Sequence, residues 1–128
     1  MMLSIIIPTL NEEKHLPRLL DSITRQRFKD YEIIVADNNS KDKTRDIAKK
    51  FGAKVVPGGL PAKARNLGAK AAKGNILLFL DSDVILSKGS LNKAVTEFTQ
   101  RNLTVALFTL RAASKKLIDK TLYQGADT

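Results

Sequence analysis

The chain has 128 residues, of which 43% are hydrophobic, so it can bury one core and is most simply a single domain over residues 1–128. It contains no cysteine, which excludes disulfides and thiolate metal sites, and no apolar run approaches the roughly 20 residues that a transmembrane helix needs. The 22 Lys and Arg residues outnumber the 13 Asp and Glu residues, and the formal net charge of +9 favours an anionic partner. We therefore expect a cytoplasmic protein that binds an anion.

The first predicted strand is the isoleucine-rich segment LSIIIP, which ends at Pro8 because proline cannot donate a ladder hydrogen bond. A short loop follows, in which we predict Asn11 as the N-cap of a helix with Glu12 and Glu13 in its first turn. Apolar side chains then recur at helical spacing and form one face of this helix: Leu16, Leu19, Leu20 and Ile23. The segment is therefore predicted to be a strand-to-helix unit with polar groups at its junction.

The same pattern repeats in residues 32–36, a predicted buried strand that ends in the polar run DNNS at residues 37–40. Ser40 is predicted to cap the next helix, and a weaker third strand covers residues 53–56. That strand stops at the segment PGG, residues 57–59, which we predict to be a flexible loop able to move over a ligand.

A third helix is predicted to begin at Pro61, because proline suits the first turn of a helix, and to end just before Gly74. The small residues Ala64 and Gly68 would let this helix lie close to its neighbour. Arg65 falls on a different face of the same helix.

The segment NILLFLDSDV, residues 75–84, begins with five apolar residues in an unbroken run, which is typical of a strand covered on both faces. Asp81 and Asp83 follow at the carboxyl edge of the sheet, where two neighbouring carboxylates repel each other unless a cation compensates. A hard divalent ion such as Mg²⁺ or Mn²⁺, held also by a substrate phosphate, would supply that charge. The structural alternative is a solvated turn with two helix-capping aspartates.

The remaining segment predicts a helix over about residues 90–101, a strand over residues 104–110 and a last short helix that contains Leu117, Ile118 and Leu122. Strands and helices alternate along the whole chain, which indicates parallel βαβ units. We therefore predict an α/β fold, with an open, mostly parallel sheet and helices on both faces.

Polar residues follow several strands of this predicted sheet at the point where each strand ends. Because the carboxyl ends of parallel strands meet at one edge, the first, second and fourth strands should bring these side chains together. They are Pro8, Thr9, Asn11, Glu12, Asp37, Asn38, Asp81 and Asp83. This convergence favours a ligand site, although Asn11, Asn38 and Ser40 could also serve as caps and turn residues.

Three segments resemble the family 2 glycosyltransferases: SIIIPTLNEE, YEIIVADNNSKDKT and PAKARNLGAKAAKGNILLFLDSDV, in this order along the chain. The resemblance covers roughly residues 3 to 100 of the chain. It implies the Rossmann-like GT-A fold and an inverting, metal-dependent hexosyltransferase. Such an enzyme transfers a sugar from a nucleoside diphosphate sugar to an acceptor, either a saccharide or a lipid phosphate.

The resemblance also assigns residues to the nucleoside. It implies that Pro8, Thr9 and Glu12 line the base and ribose pocket and that Asp37 and Asn38 match the pair that reads the base. Many relatives carry a second Asp where this chain has Asn38, and an amide both donates and accepts hydrogen bonds whereas an ionised carboxylate only accepts. The donor can therefore be a UDP, GDP or dTDP sugar.

For the diphosphate and metal, the resemblance implies that Arg65 reaches the nucleotide and that Asp81 and Asp83 form the DXD motif, with Asp83 on the metal and Asp81 on the metal or the ribose. The family's general base lies well downstream of this motif, so we expect the domain to be incomplete at its C-terminal end and its catalytic base to lie outside it. The later carboxylates match no family motif and are predicted to be structural: Glu97, Asp119 and Asp127.

Three other functions compete with this one. The chain could be a non-catalytic module that binds a nucleotide sugar but lacks the acceptor half. The run DSDVI could be the acyl-phosphate motif of a phosphatase, although that motif normally sits on the first strand and has Thr or Val where this chain has Ile85. The few aromatic residues, five Phe and two Tyr, argue against nucleic acid, whereas peripheral contact of the basic residues with the cytoplasmic face of a membrane is an alternative to simple solvation.

Overall fold

The computed structural model describes residues 2–100, 105–109 and 119–124. The described elements alternate between strand and helix up to residue 100, as the apolar periodicity predicts. In chain order they are β1 (Leu3–Thr9), α1 (Leu16–Thr24), β2 (Tyr31–Asp37), α2 (Thr44–Lys50), β3 (Lys54–Pro57), α3 (Pro61–Ala71), β4 (Ile76–Phe79), α4 (Ser90–Gln100), β5 (Val105–Thr109) and β6 (Asp119–Gln124).

The strands form one sheet in the order β3-β2-β1-β4-β6-β5. Strands β1 to β4 run parallel to their neighbours in this group, whereas β6 is antiparallel to both β4 and β5. The predicted α/β fold with a mostly parallel sheet and helices on both faces is therefore confirmed. No described helix has both the length and the apolar character needed to cross a bilayer.

One predicted element is wrong. The last helix was expected to contain Leu122, but residues 119–124 form strand β6, and Leu117 and Ile118 lie outside the described residues. The physical reason is the open side of β4, whose backbone groups need partners that only another strand can supply. Thr121 and Tyr123, which favour strands, fit this role.

The sheet separates two hydrophobic clusters of different size. The larger contains Ile5, Ile7 and Val35 and packs against α1, α2 and α4, whereas the smaller contains Ile6 and Ile34 and packs against α3. Because successive strand residues point to opposite faces, this division follows directly from the unbroken isoleucine and valine runs of β1 and β2. The carboxyl edge of the sheet is thereby flanked by α3 on one side and by α1 and α2 on the other.

Helix α3 lies unusually close to β1 at Gly68, where a Cβ atom would overlap Cγ2 of the fully buried Ile6. We predict that Gly68→Ala lowers the free energy of unfolding by about 1–2 kcal/mol, because overpacking costs roughly 1–3 kcal/mol and the better helix propensity of Ala returns only part of it. Chemical denaturation measures this change. In an Ile6→Ala background the same substitution should cost less, and an equal cost in both backgrounds would contradict the close contact.

Candidate functional site

The parallel strands bring several of the predicted site residues side by side at one edge. In the register of the sheet, Thr9 lies opposite Asp37, and Asp37 lies opposite Pro57. The ladder continues beyond β4, because the backbone N–H of Leu80 donates to the carbonyl of Ile6 at 3.0 Å. The edge therefore gathers the ends of β1, β2, β3 and β4, which is the convergence predicted from the sequence.

The carboxylate of Asp37 is buried at this edge, with only 1% of its side chain exposed. It accepts hydrogen bonds from the Thr9 hydroxyl at 2.7 Å, from the Ser40 hydroxyl at 2.5 Å and from the Ser40 backbone N–H at 2.8 Å. The guanidinium of Arg45 lies 3.8 Å away and adds a positive charge. Because polar groups are rarely buried without hydrogen-bond partners, these contacts account for a carboxylate at this buried position.

Two loops are joined at this carboxylate, and we call residues 9–13 and 37–44 together the loop clamp. The backbone N–H of Asn11 donates to the Ser40 hydroxyl at 2.8 Å, and the Asn11 side chain accepts from the Lys41 N–H at 2.8 Å. The predictions that Asn11 and Ser40 cap helices are therefore wrong. Helix α1 begins only at Leu16 and α2 only at Thr44, and neither has a side-chain N-cap hydrogen bond.

The clamp continues toward the start of α2. The N–H of Glu12 donates to the Thr44 hydroxyl at 2.8 Å, and the N–H of Glu13 donates to the Asp42 carboxylate at 3.2 Å. Asp42 also accepts from the Thr44 N–H at 2.9 Å. The polar segment after β2 is thus used to hold the segment after β1, and the two loops form one rigid unit.

Asp42 makes the clamp sensitive to acid. Removal from water raises the pKa of this carboxyl, but hydrogen bonds from Thr44 and from the Glu13 N–H outweigh that effect and hold the pKa below its ordinary value of 3.8. A group whose pKa is lower in the folded state stabilises the fold above the ordinary value and loses this contribution as the pH falls through the lowered one. We predict that Asp42→Asn removes part of the loss of stability seen below about pH 4.

Thermal denaturation between about pH 2 and pH 7 measures this effect. Glu97→Gln, on helix α4 and outside the clamp, is the matched control and should keep the acid-side loss of the parent protein. Identical pH profiles for Asp42→Asn and the parent would show that the clamp does not depend on this carboxylate.

Pro8 and Asn38 occupy the other face of the same edge. Alternation along the strands places Thr9 and Asp37 with the α1 and α2 side, so their neighbours Pro8 and Asn38 lie toward α3. Both are only half-buried, and the N–H of Asn38 continues the ladder by donating to the Thr9 carbonyl at 2.9 Å. Arg65 is half-buried on α3, the helix that packs on this face of the sheet.

The segment PGG, which begins with the last residue of β3, is tied to the sheet at Gly58. Its N–H donates to the Asp37 carbonyl at 2.8 Å, and a Cβ atom at Gly58 would lie 2.7 Å from the Ala36 carbonyl oxygen. Glycine is needed here because the backbone passes so close to β2. The predicted flexible loop is thus held at this residue.

Asp81 and Asp83 are exposed at the end of β4, and Ser82 between them is buried. The N–H of Val84 donates to the Asp81 carbonyl at 3.2 Å, which closes a turn around the pair. Within the described residues, no third His, Cys, Asp or Glu joins them to form a metal cluster. This donor set fits Mg²⁺ or Mn²⁺, since such ions are commonly held by one or two carboxylates together with substrate phosphate and water.

Among the other predicted carboxylates, Glu12 and Glu97 form no metal cluster with this pair in the described part of the chain. The Glu12 carboxylate contacts Nδ1 of the exposed His15 at 3.2 Å, and the Glu12 carbonyl accepts from the backbone N–H groups of His15 and Leu16. Glu97 is half-buried on α4. Asp119 begins β6, of which only the backbone is described, and Asp127 lies outside the described residues.

Comparison with known proteins decides the family. The model of the family described as Glycosyl transferase family 2 matches residues 4–125, which is nearly the whole chain. The chain belongs to glycosyl transferase family 2. The membership inferred from the three sequence segments is thus confirmed.

Three relatives show the same family at the level of single proteins. Poly(ribitol-phosphate) beta-N-acetylglucosaminyltransferase TarS from Staphylococcus aureus is 30% identical over 134 residues, which cover 97% of this chain and 23% of the relative. Its crystal structure with residues 1–349 and UDP-GlcNAc matches 98% of this chain and 46% of that one, with 27% identity and a TM-score of 0.79. The poly(ribitol-phosphate) beta-glucosyltransferase from Bacillus spizizenii is 30% identical, over 97% of this chain and 21% of the relative.

The third relative is glucosyl-3-phosphoglycerate synthase from Mycobacterium tuberculosis, solved with Mn²⁺, UDP and glucosyl-3-phosphoglycerate. Its structure matches 81% of this chain and 42% of that chain, with 27% identity and a TM-score of 0.66. These likenesses confirm the predicted GT-A type of fold. The chain spans about a quarter of the curated TarS sequence and less than half of each of these solved chains.

In this family 2 chain, the sequence prediction missed three clamp residues: Ser40 as a partner of Asp37, and Asp42 and Thr44. It also missed Arg45, which lies just beyond the clamp and contacts Asp37. A signal was present, because polar residues with short side chains are dense after β2, and such residues often bond to backbone in loops. What the sequence could not show is that their partners lie about 30 residues earlier in the chain.

Proposed function

We propose that the chain forms the donor-binding part of a metal-dependent, inverting glycosyltransferase. The enzyme would transfer a hexose from a nucleoside diphosphate sugar to a saccharide or lipid-phosphate acceptor. The observation that carries this proposal is the exposed pair Asp81 and Asp83 at the same sheet edge as Pro8 and Asn38, on a family 2 fold. A carboxylate pair beside half-buried polar residues suits a ligand with both a diphosphate and a base.

The two faces of the edge suggest different roles for the nucleoside-binding residues. Pro8 and Asn38 are half-buried and lie toward α3, so we assign them to contact with the base. Thr9 and Asp37 are buried and bonded to each other, so we assign them to holding Pro8 and Asn38 in place. Glu12 keeps the role of lining the ribose side.

A uracil base is compatible with these residues. The amide oxygen of Asn38 can accept from the N3–H of uracil, while its amide N–H donates to a neighbouring carbonyl of the same base. Two relatives at 27% identity were solved with a uridine nucleotide, which supports UDP for this chain over GDP and dTDP. We therefore propose a UDP sugar as the donor.

The chemistry of the proposed reaction concerns charge on the leaving group. As the anomeric bond breaks, the diphosphate gains negative charge; Asp83 and Asp81 would hold a divalent ion there, which would supply Lewis-acid stabilisation of that charge. Arg65 lies on the α3 flank of the site, and its guanidinium can form paired hydrogen bonds to phosphate oxygens. The acceptor attacks from the opposite side of the sugar ring, which inverts the anomeric centre.

Calorimetric titration tests the proposal. We expect UDP-GlcNAc or UDP-glucose to bind in the presence of Mn²⁺, with a lower affinity when the metal is left out, and with GDP and dTDP sugars binding more weakly. Binding of no nucleotide sugar, with or without metal, would overturn the donor site. Tighter binding of a GDP sugar would overturn the choice of base alone.

A further inference from the structure

A cavity away from the donor site lies between residues 18–26, in and just after helix α1, and residues 85–88, which lead from the DXD turn into α4. Its volume is about 520 Å³, within the range of roughly 300–1,000 Å³ that is typical of small-molecule sites. None of the residues that line it belongs to the proposed donor site. The cavity is therefore a separate feature of the molecule.

The floor of this cavity is cross-linked by one side chain of α1, Ser22, and by one just after the helix, Gln26. The amide nitrogen of the buried Gln26 donates to the Ser87 carbonyl at 2.9 Å, and its oxygen accepts from the Leu91 N–H at 3.2 Å. The hydroxyl of the buried Ser22 accepts from the Leu86 N–H at 3.0 Å. These bonds join parts of the chain that are more than 60 residues apart, so the two walls are held at a fixed separation.

Three cations and one carboxylate stand around the floor: Arg18, Arg25, Lys88 and Asp21. Their formal charges are three positive and one negative, which leaves a net charge of +2. Asp21 forms an ion pair with Arg25, whose Nε lies 3.0 Å from the carboxylate. No carboxylate in the described part of the chain pairs with Arg18 or Lys88, so both cations are available to a ligand.

The residues on the floor of the cavity and the charged residues around it indicate which kind of ligand it could bind. Ile85 and Leu86 offer apolar surface, and the polar groups of Ser22 and Gln26 are already bonded within the protein. A purely polar anion would leave the apolar surface unused, and an apolar molecule would leave Arg18 without a partner. The complementary ligand carries both an anionic group and an apolar group.

We propose that this cavity binds a phosphate ester with an apolar substituent, at a site distinct from the donor site. Phosphate suits Arg18 because a guanidinium forms paired, charge-assisted hydrogen bonds with phosphate oxygens, and Lys88 adds a second positive charge. The substituent packs on Ile85 and Leu86. Because Ile85 follows Asp83 by only two residues, a bound ester also restrains the turn that carries the proposed metal ligands.

Calorimetry with phenyl phosphate, in the absence of nucleotide and metal, tests the site independently of the proposed function. Saturable binding is expected, with inorganic phosphate and phenol each binding at least about tenfold more weakly because each lacks one half of the ligand. A parallel titration with diphenyl phosphate shows whether the cavity prefers a phosphate monoester or a phosphate diester. Preference for the monoester assigns a free phosphate ester, and preference for the diester assigns a phosphate within a longer chain.

The double variant Arg18→Gln/Lys88→Gln should lower the affinity for the preferred ester by about tenfold or more, since both charged hydrogen-bond donors are lost. Lys49→Gln/Lys50→Gln removes the same charge from exposed positions on α2 and should leave it unchanged. Equal losses in the two double variants would overturn the cavity as the site, as would the absence of saturable binding. Competition by UDP with Mn²⁺ would instead place the ester in the donor site and overturn the proposal of a separate one.

Discussion

Asp83→Asn should abolish the metal-dependent part of nucleotide-sugar binding and leave the fold intact. The residue is exposed at the turn after β4, so its side chain contributes little to packing. An amide keeps the shape of the side chain but removes the charge that a divalent ion requires. We expect the affinity for a UDP sugar in the presence of Mn²⁺ to fall by about 100-fold, or ~2.8 kcal/mol at about 1.4 kcal/mol per factor of ten.

Calorimetric titrations with and without Mn²⁺ measure this loss, and circular dichroism checks the fold. Asp46→Asn makes the same chemical change at an exposed position on α2, outside the proposed site, and should retain the metal dependence. Unfolding of Asp83→Asn would show that the residue is structural. Unchanged metal-dependent binding would remove Asp83 from the metal site and leave Asp81 as the candidate to test.

Most of the fold follows from residue patterns that act over short distances. The unbroken apolar run of Ile76 to Leu80 predicts a strand buried on both faces, and it is one, with α3 covering one side and α4 the other. The small residue Gly68 predicts the close approach of α3 to the sheet, and its position against Ile6 accounts for that requirement. These features are local, so periodicity and residue size are sufficient to predict them.

The strand β6 could not be predicted in the same way. Its residues carry no strong alternation, and the segment was expected to be helical because Leu117, Ile118 and Leu122 are spaced for a helix. The decisive factor is the exposed edge of β4, which exists only once the parallel sheet has formed. Hydrogen bonding of this segment to a strand far away in the sequence therefore outweighs the helical spacing of its apolar residues.

The loop clamp shows the same limit at the candidate site. Residue types identify Asn11 and Ser40 as residues for caps or turns, and both do bond to backbone or side-chain groups in loops. Asn11 has a φ of 52° and Asn39 a φ of 50°, conformations that asparagine tolerates better than most residues. The partner of each group is set by the parallel pairing of β1 with β2, which the sequence does not contain locally.

Asp37→Asn should separate positioning from direct recognition of the base. The carboxylate accepts three hydrogen bonds from Thr9 and Ser40, and an amide cannot accept all of them because its nitrogen only donates. Leaving one buried donor unpaired costs about 1–3 kcal/mol, so we expect a lower free energy of unfolding. We also expect the affinity for UDP to fall by about tenfold, because Thr9 and the 37–40 segment then no longer hold Asn38 in one place.

The binding of pyrophosphate with Mn²⁺ distinguishes positioning from general damage, since this ligand uses the carboxylates of Asp81 and Asp83 and no base. Pyrophosphate binding should be unchanged in Asp37→Asn, and an equal loss of affinity for pyrophosphate and UDP would show that Asp37 has only a structural role.

Asn38→Asp, the reverse exchange at the next residue, should change base preference without changing stability. Because Asn38 is half-buried and its side chain is assigned to the base, this variant should keep the stability of the parent and change the relative affinities for UDP, GDP and dTDP. The substitution at the buried Asp37, which orders a loop, should thus lower stability. The substitution at the half-buried Asn38, which is assigned to the base, should instead change base preference.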